Sequence, residues 1–121
     1  MAQLFLSYAR DDRYLVEPLA NLLELAGHSV WWDRHITGGS DFSSEIAAAL
    51  DASEAVIVAW SPSSIGSHWV KDEAAEGRDR GRLVPVLLGP IMPPLGFRQI
   101  QAIDLGGWRG QGKPAAFEDL L

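Results

Sequence analysis

The sequence predicts an α/β fold in which helices cover both sides of a parallel β-sheet. Short runs rich in β-branched and aromatic residues alternate with runs whose apolar residues recur near every 3.6 positions. This alternation implies parallel strands joined by right-handed helical crossovers. The third strand candidate, "EAVIVAWS" (54–61), is an almost uninterrupted apolar run, which is typical of a strand buried on both faces. A chain of 121 residues fits a single domain, 1–121.

Each predicted element has a local signal. The first helix carries leucines at helical spacing and is ended by Gly27, the second is capped by Ser40 or Asp41, and the third is capped by Ser67. The strands are short apolar runs bounded by polar residues, glycine or proline. In chain order the predictions are strand 3–7, helix 13–27, strand 28–32, helix 41–53, strand 54–61, helix 67–81, strand 82–88, strand 99–105 and a last helix from 113.

Two prolines qualify this pattern. Pro18 lies inside the first helical run, so the helix either begins late, with Pro18 in its first turn, or bends there. Pro85 removes one ladder donor from the fourth strand, which argues against a fully paired central position for that strand. The last helix stops about two turns after Pro114, so we expect the chain to be part of a longer protein.

Composition excludes several classes of protein. The net charge of -6 disfavours nucleic-acid binding through phosphate neutralisation. The absence of cysteine excludes a disulfide scaffold and a cysteine nucleophile. No apolar run approaches the roughly 18 residues needed to cross a bilayer, and the N-terminus lacks the features of a signal peptide. We therefore expect a cytoplasmic protein that contacts neither membrane nor nucleic acid.

Several familiar sites are also absent. The sequence has neither of the glycine-rich loops that hold nucleotide phosphates. Its three histidines show no metal-ligand spacing, so we expect no metal. A response-regulator receiver has similar alternation but needs an Asp at the end of its third strand and a Lys at the end of its fifth. Here the third strand ends in Trp60-Ser61 and the fifth in Asp104-Leu105.

Four segments in register resemble a TIR (Toll/interleukin-1 receptor) domain of the bacterial kind. They are "FLSYARDD" at the first strand, "VWWD" at the end of the second, "VIVAWSPSS" at the end of the third and "SHWVKDE" opening the next helix. The resemblance covers about residues 3–108. It implies a flavodoxin-like three-layer fold, with a five-stranded parallel sheet in the order 2-1-3-4-5 and helices on both faces.

The resemblance also implies one of two functions. Some TIR domains are scaffolds that join other TIR domains, whereas others cleave NAD+ between nicotinamide and ribose. The enzymes carry a Glu on the third helix, four residues after a Trp, a pattern matched here by Trp69 and Glu73. In this interpretation Glu73 is catalytic and Trp69 forms a wall of the substrate cleft. NAD+ is then the substrate, and no cofactor is required.

The chemistry of NAD+ explains why one carboxylate can suffice. Ordinary glycosidases use two, because an alkoxide leaving group must be protonated. Nicotinamide leaves from a cationic pyridinium and departs neutral, so a general acid is unnecessary. The remaining tasks are to stabilise an oxocarbenium-like ribosyl group and to hold the ribose hydroxyls, and a desolvated carboxylate can do both. Attack by water gives ADP-ribose, and attack by an atom of the substrate gives a cyclic product.

Further substrate-binding positions follow from the same resemblance. Tyr8 and Arg10 follow the first strand, where the enzymes line the nucleotide cleft, and Ala9 replaces the first of two basic residues found in one family pattern. Asp33 ends the second strand, and Phe42 lies beyond the loop. The loop itself is where family members dock on a neighbouring TIR domain. Its residues are Arg34, His35, Ile36, Thr37, Gly38 and Gly39.

Each assignment has a simpler alternative. Glu73 could be a solvated charge on a helix face, Trp69 a core aromatic, and Arg10 the partner of Asp11 or Asp12. The alternative functions are a non-enzymatic TIR–TIR scaffold and a bacterial TIR that interferes with host TIR signalling. In either functional class the expected partners are other TIR domains, in a homo-oligomer or filament formed on activation. For the enzyme, the expected role is in bacterial defence or stress signalling.

Overall fold

A parallel sheet with helices on both faces forms the frame of the molecule. The computed structural model describes residues 3–32, 48–89, 91–94, 96–97 and 102–105, with backbone alone at His68, Trp69 and Asp104. The strands are β1 (Gln3–Ser7), β2 (Ser29–Trp31), β3 (Ala55–Trp60), β4 (Leu83–Leu87) and β5 (Ile103–Asp104). The helices are α1 (Arg13–Leu25), α2 (48–52) and α3 (His68–Asp79), and short 3-10 helices span Arg10–Asp12 and Ser64–Gly66.

All strand pairs are parallel, as the alternation of strands and helices predicted. The first four strands run in the order β2-β1-β3-β4. At the edge, β5 pairs with β4 through two positions, Val86 with Ile103 and Leu87 with Asp104. The fifth strand is therefore shorter than the predicted 99–105, and residues 98–101 lie outside the described part of the chain.

The first helix does not begin late, as it would have to if Pro18 lay in its first turn. It starts at Arg13, five residues before Pro18, so Pro18 lies in the helix interior rather than in the first turn. Proline removes the hydrogen bond that its N–H would make to the carbonyl of Tyr14. Tyr14 is on the exposed side of the helix, where water can replace the lost donor. The helix ends as predicted, with Gly27 in the left-handed region at φ 101°.

Pro85 was expected to prevent a fully paired central position for β4, and the strand is central but is not paired with β5 at Pro85. β4 lies between β3 and β5, and Pro85 is in register with Val58 of β3. The N–H of Leu88 donates to Trp60 and the carbonyl of Arg82 accepts from Val56, so even-numbered residues of this segment bond to β3. The missing donor of Pro85 therefore faces the other side, where the pairing with β5 among the described residues begins at Val86. Its missing donor costs the β3–β4 ladder nothing.

Two apolar layers separate the sheet from its helices. Side chains alternate along β1 and β3, so Leu4, Leu6, Ile57 and Ala59 pack with α1. On the other face, one cluster joins β3 to α3 and a second joins β1 and β3 to α2. The first comprises Val58, Trp60, Val70, Ala74 and Phe97, and the second Phe5, Leu50 and Val56. None of the described helices is long and apolar enough to cross a membrane.

Candidate functional site

The strand order reverses between β1 and β3. The chain passes from β1 outward to β2 and then returns to β3 on the other side of β1. In open parallel sheets, ligands bind beyond the carboxyl ends of the strands at such a reversal. These ends carry Ser7 on β1 and Ser61 directly after β3, both buried. The topology therefore directs attention to the groups around these two serines.

Helix α3 brings a carboxylate to this point. Ser67 caps the helix, and its hydroxyl accepts a hydrogen bond from the N–H of Val70 at 3.3 Å. Val70, Glu73, Ala74 and Gly77 recur at helical spacing and are all buried, so they form the face that packs on the sheet. At Gly77 an added Cβ would lie 2.8 Å from the Cβ of Val56, so the helix approaches β3 as closely as a glycine allows.

Glu73 bonds directly to β1. Its side chain is 2% exposed, and the hydroxyl of Ser7 donates a hydrogen bond to its Oε1 at 2.6 Å. Glu73 is thus not a solvated charge on an outer helix face. Ser7 is a site residue that the sequence patterns did not single out. The available signal was its place in β1. Residues two apart in a strand face the same side, so Ser7 shares the face of Phe5, which is the α3 side of the sheet.

A buried carboxylate at a ligand-binding edge has a specific chemical capacity. In surroundings of low dielectric constant it stabilises a neighbouring positive charge more strongly than it would in water. Because Glu73 is almost fully covered, a bound molecule reaches it only after the side chain or its cover moves. The carboxylate of Glu73 is therefore held in place by Ser7 and enclosed by the surrounding protein.

The segment after β1 carries two other predicted residues. Tyr8 is half-buried, and its ring centroid lies 6.3 Å from that of Trp32 at the end of β2. The guanidinium of Arg13 lies over the same Trp32 ring at 5.0 Å. Arg10 is exposed. Tyr8 and Glu73 are both close to the end of β1, because Tyr8 directly follows Ser7.

The remaining tryptophans of the described strands pack against aromatic neighbours. Trp31 stacks on Phe5 with centroids 5.0 Å apart, and Trp60 contacts Phe97 at 5.3 Å. Trp31 and Trp60 are therefore packing residues of the sheet.

Several predicted positions lie outside the described residues. They are the side chain of Trp69, together with Asp33, Phe42 and the proposed self-association loop 34–39. Their assignments remain predictions. Within the described ranges, no group of three or more acidic or histidine side chains is placed to hold a metal ion.

A second buried carboxylate lies at the same edge. Asp12 is 7% exposed, and its Oδ2 accepts a hydrogen bond from the hydroxyl of Ser61. Burial raises the pKa of Asp12, the Ser61 hydrogen bond opposes that effect, and the charge of Asp11 adds to it. Sequence reasoning considered Asp12 only as a possible partner of Arg10, because the contact with Ser61 joins residues 49 positions apart.

Comparison with known proteins agrees with this architecture. The family model described as "TIR domain" matches residues 4–121. No curated protein matches the chain significantly. Among solved structures, the TIR domain of the Toll-related receptor TRR-2 from Hydra magnipapillata is 24% identical, with a TM-score of 0.77 over 87% of this chain and 85% of that one. This likeness concerns the fold.

Two further solved structures are 26% identical to the chain. The TIR domains of the activated Roq1 resistosome, which directly recognises the pathogen effector XopQ, give a TM-score of 0.61 over 72% of this chain and 57% of that one. A metazoan TIR-STING receptor from C. gigas, solved in complex with 2',3'-cGAMP, gives a TM-score of 0.73 over 97% of this chain and 37% of that one. With a family model that spans nearly the whole sequence, the chain belongs to the TIR-domain family.

Proposed function

We propose that this chain is an NAD+ glycohydrolase TIR domain with Glu73 as its catalytic carboxylate. The main support is the burial of Glu73 at the carboxyl end of the sheet, with one oxygen held by Ser7. A solvated surface charge would not be enclosed in this way, because burying a carboxylate costs free energy that hydrogen bonds such as the one from Ser7 must offset. The Trp69-x-x-x-Glu73 spacing, shared with NAD-cleaving members of the family, supplies the second support.

The proposed reaction breaks the bond between the ribose C1' and the nicotinamide nitrogen. The bonding electron pair leaves with nicotinamide and neutralises its pyridinium charge, while positive charge develops on the ribosyl group. Glu73 stabilises that charge. Water then adds to C1' and loses a proton, which gives ADP-ribose; attack by an atom of the substrate itself gives a cyclic variant.

The enclosure of Glu73 bears on how the enzyme would be activated. NAD+ reaches the carboxylate only when its cover opens, so an isolated domain should turn over slowly. We infer that self-association, through the loop 34–39, stabilises the open site. The Roq1 TIR domains belong to an activated resistosome, which is an assembly. In a bacterial cell such activation would suit a role in defence or stress signalling.

Release of free nicotinamide tests this proposal. The chain is incubated with NAD+ when dilute, when concentrated, and when forced into clusters on a multivalent support. We expect nicotinamide release to rise faster than linearly with protein concentration and to be greatest in the clustered sample. No release from clustered protein would refute the enzymatic proposal, and strict proportionality down to nanomolar protein would refute activation by assembly.

A non-enzymatic TIR–TIR scaffold is the second candidate. The observation that favours it is the same burial, because a carboxylate that never becomes accessible has a purely structural role. The chain would then associate through its loop without cleaving NAD+, in its own signalling or by interfering with the TIR signalling of a host. Self-association without nicotinamide release in the same experiment would support this alternative.

A further inference from the structure

The link between Asp12 and Ser61 connects the two strand ends that flank the candidate site. Asp12 ends the 3-10 helix Arg10–Asp12, which follows Tyr8 and Ala9, and its N–H donates to the carbonyl of Ala9 at 2.9 Å. Ser61 directly follows β3. Their side chains bond across the reversal point of the sheet and thereby hold the segment after β1 against the end of β3.

The usual structural role of such an Asp is not the one it has here. Asp12 occupies the N-cap position of α1, where an Asp side chain typically accepts from a free N–H of the first turn. It makes no such cap hydrogen bond. The carboxylate instead reaches across to another strand, and the stability that capping would add to α1 is forgone.

The position of the Ser61 hydroxyl is fixed by a closed network with Ser64. Ser61 Oγ accepts from the N–H of Ser64 at 3.0 Å, and the N–H of Ser61 donates to Ser64 Oγ at 2.7 Å. Ser64 Oγ in turn donates to the carbonyl of Ala59 at 2.7 Å. Both serines are buried, so the donor that faces Asp12 is held rigidly by the end of β3.

This link supports the part of the site that would bind the nucleotide. Tyr8 and Arg10 lie between Ser7, which bonds to Glu73, and Asp12, which bonds to Ser61. The segment is therefore anchored on both sides, by β1 at one end and by β3 at the other. Loss of the Asp12 anchor would free its orientation without touching the Ser7–Glu73 contact.

We propose that Asp12 is a positioning residue that, through Ser61, holds the Tyr8–Arg10 segment in the orientation required to bind NAD+. The proposal rests on the proposed NAD+ glycohydrolase function. It assigns Asp12 no contact with substrate. Because its effect is on substrate binding, the Michaelis constant should change more than the turnover number.

Three variants of the clustered full chain test this assignment. For Asp12→Ala and Ser61→Ala we expect the KM for NAD+ to rise by about 10-fold while kcat changes by less than about 3-fold. The double variant should be no worse than either single variant, because both remove the same interaction. Asp11→Ala is the matched control: its carboxylate is exposed one residue earlier, and its KM should stay at the wild-type value.

A rescue variant separates positioning from a general loss of stability. Ser61→Thr retains the hydroxyl donor, so its KM for NAD+ should stay close to the wild-type value, whereas the KM of Ser61→Ala should be raised. If Asp12→Ala does not fold, the two Ser61 variants provide the test.

The outcomes distinguish the two proposals. An active wild type whose KM is unaffected by Ser61→Ala overturns the positioning role alone, as does a KM that rises equally in the Asp11 control. A wild type that releases no nicotinamide even when clustered overturns the enzymatic proposal and the positioning role with it.

Discussion

At the scale of single residues, the Ser7–Glu73 contact is the feature with the clearest energetic consequence. Ser7 supplies a hydrogen bond to a carboxylate that folding removes from water. Hydrogen bonds to charged groups contribute more than neutral ones, and removing a donor leaves the desolvated charge less well compensated. The contact therefore contributes to stability as well as to the geometry of the site.

Replacing Ser7 measures that contribution. We expect Ser7→Ala to lower the free energy of unfolding by about 2 kcal/mol, as typical for loss of a hydrogen bond to a buried charged group. Urea denaturation provides the measurement. Ser29→Ala, at an exposed strand position, is the control and should be nearly neutral. Equal effects of the two substitutions would show that the Ser7 hydroxyl contributes nothing to stability.

Because of Asp12, the stability of the protein should depend on pH in the acidic range. Burial raises its pKa above the ordinary value of 3.8, so the folded protein holds the proton more tightly than the unfolded chain. Its contribution to the free energy of unfolding is therefore fully present below pH 3.8 and is lost as pH rises through the higher folded-state pKa.

Asp12→Asn removes this titration. The free energy of unfolding of the variant, relative to wild type, should increase as pH rises from 3.8 through the higher folded-state pKa, because only the wild type loses the contribution. Denaturation curves at a series of pH values check this, with exposed Asp72→Asn as the control. A difference that stays flat or declines with pH would mean that folding does not raise the Asp12 pKa.

The sequence drew attention to Glu73 but predicted neither of these residue-level contacts. The spacing of Trp69 and Glu73 drew attention to Glu73 through a family resemblance, but nothing local connects Glu73 with Ser7, 66 positions away. The same holds for Asp12 and Ser61. Such pairs form only when parallel strands place their carboxyl ends together, and single-sequence patterns carry no direct record of that pairing.

At the scale of elements, the close packing of α3 on β3 determines where Glu73 lies. Gly77 is one turn after Glu73 on the same buried face, and its Cα faces Val56 with no room for a Cβ. A bulkier residue would force the helix away from the sheet. Because Glu73 moves with the helix, its contact with Ser7 would lengthen.

Gly77→Ala tests this coupling between packing and site. We expect it to destabilise the fold by about 2 kcal/mol through overpacking, although Ala favours helix over Gly by about 1 kcal/mol. Nicotinamide release by clustered protein should fall at the same time. Gly66→Ala is the control, because an added Cβ there has no atom within 4 Å. If Gly77→Ala is as stable and active as Gly66→Ala, α3 does not depend on this close approach.

Prediction at the element scale succeeded where a periodic pattern was long, whereas the sequence could not tell which side of a strand a proline leaves unpaired. The alternating runs located β1, α1, β3 and α3 to within a few residues. Proline, however, affects a strand according to which side its missing donor faces. At Pro85 that side faces away from β3, which depends on register and not on local sequence.

At the scale of the whole molecule, the topology brings the separate features together. Because the strand order reverses between β1 and β3, four residues of the site lie together at the carboxyl end of the sheet: Ser7, Tyr8, Asp12 and Ser61. Helix α3 brings Glu73 to the same end. The α/β class and the parallel sheet followed from the order of apolar runs. The enclosure of Glu73 did not, because burial depends on how the assembled elements cover one another.

Nicotinamide release by clustered Glu73→Gln protein is the most direct measurement of the central claim. The substitution keeps the shape of the side chain and removes its charge. We expect release to fall by about 100-fold or more, as when a main electrostatic stabiliser of a transition state is lost. Asp72→Asn, which neutralises the exposed neighbouring carboxylate, should retain wild-type release. Unchanged turnover in a folded Glu73→Gln protein would contradict the assignment of Glu73 as the carboxylate that cleaves NAD+.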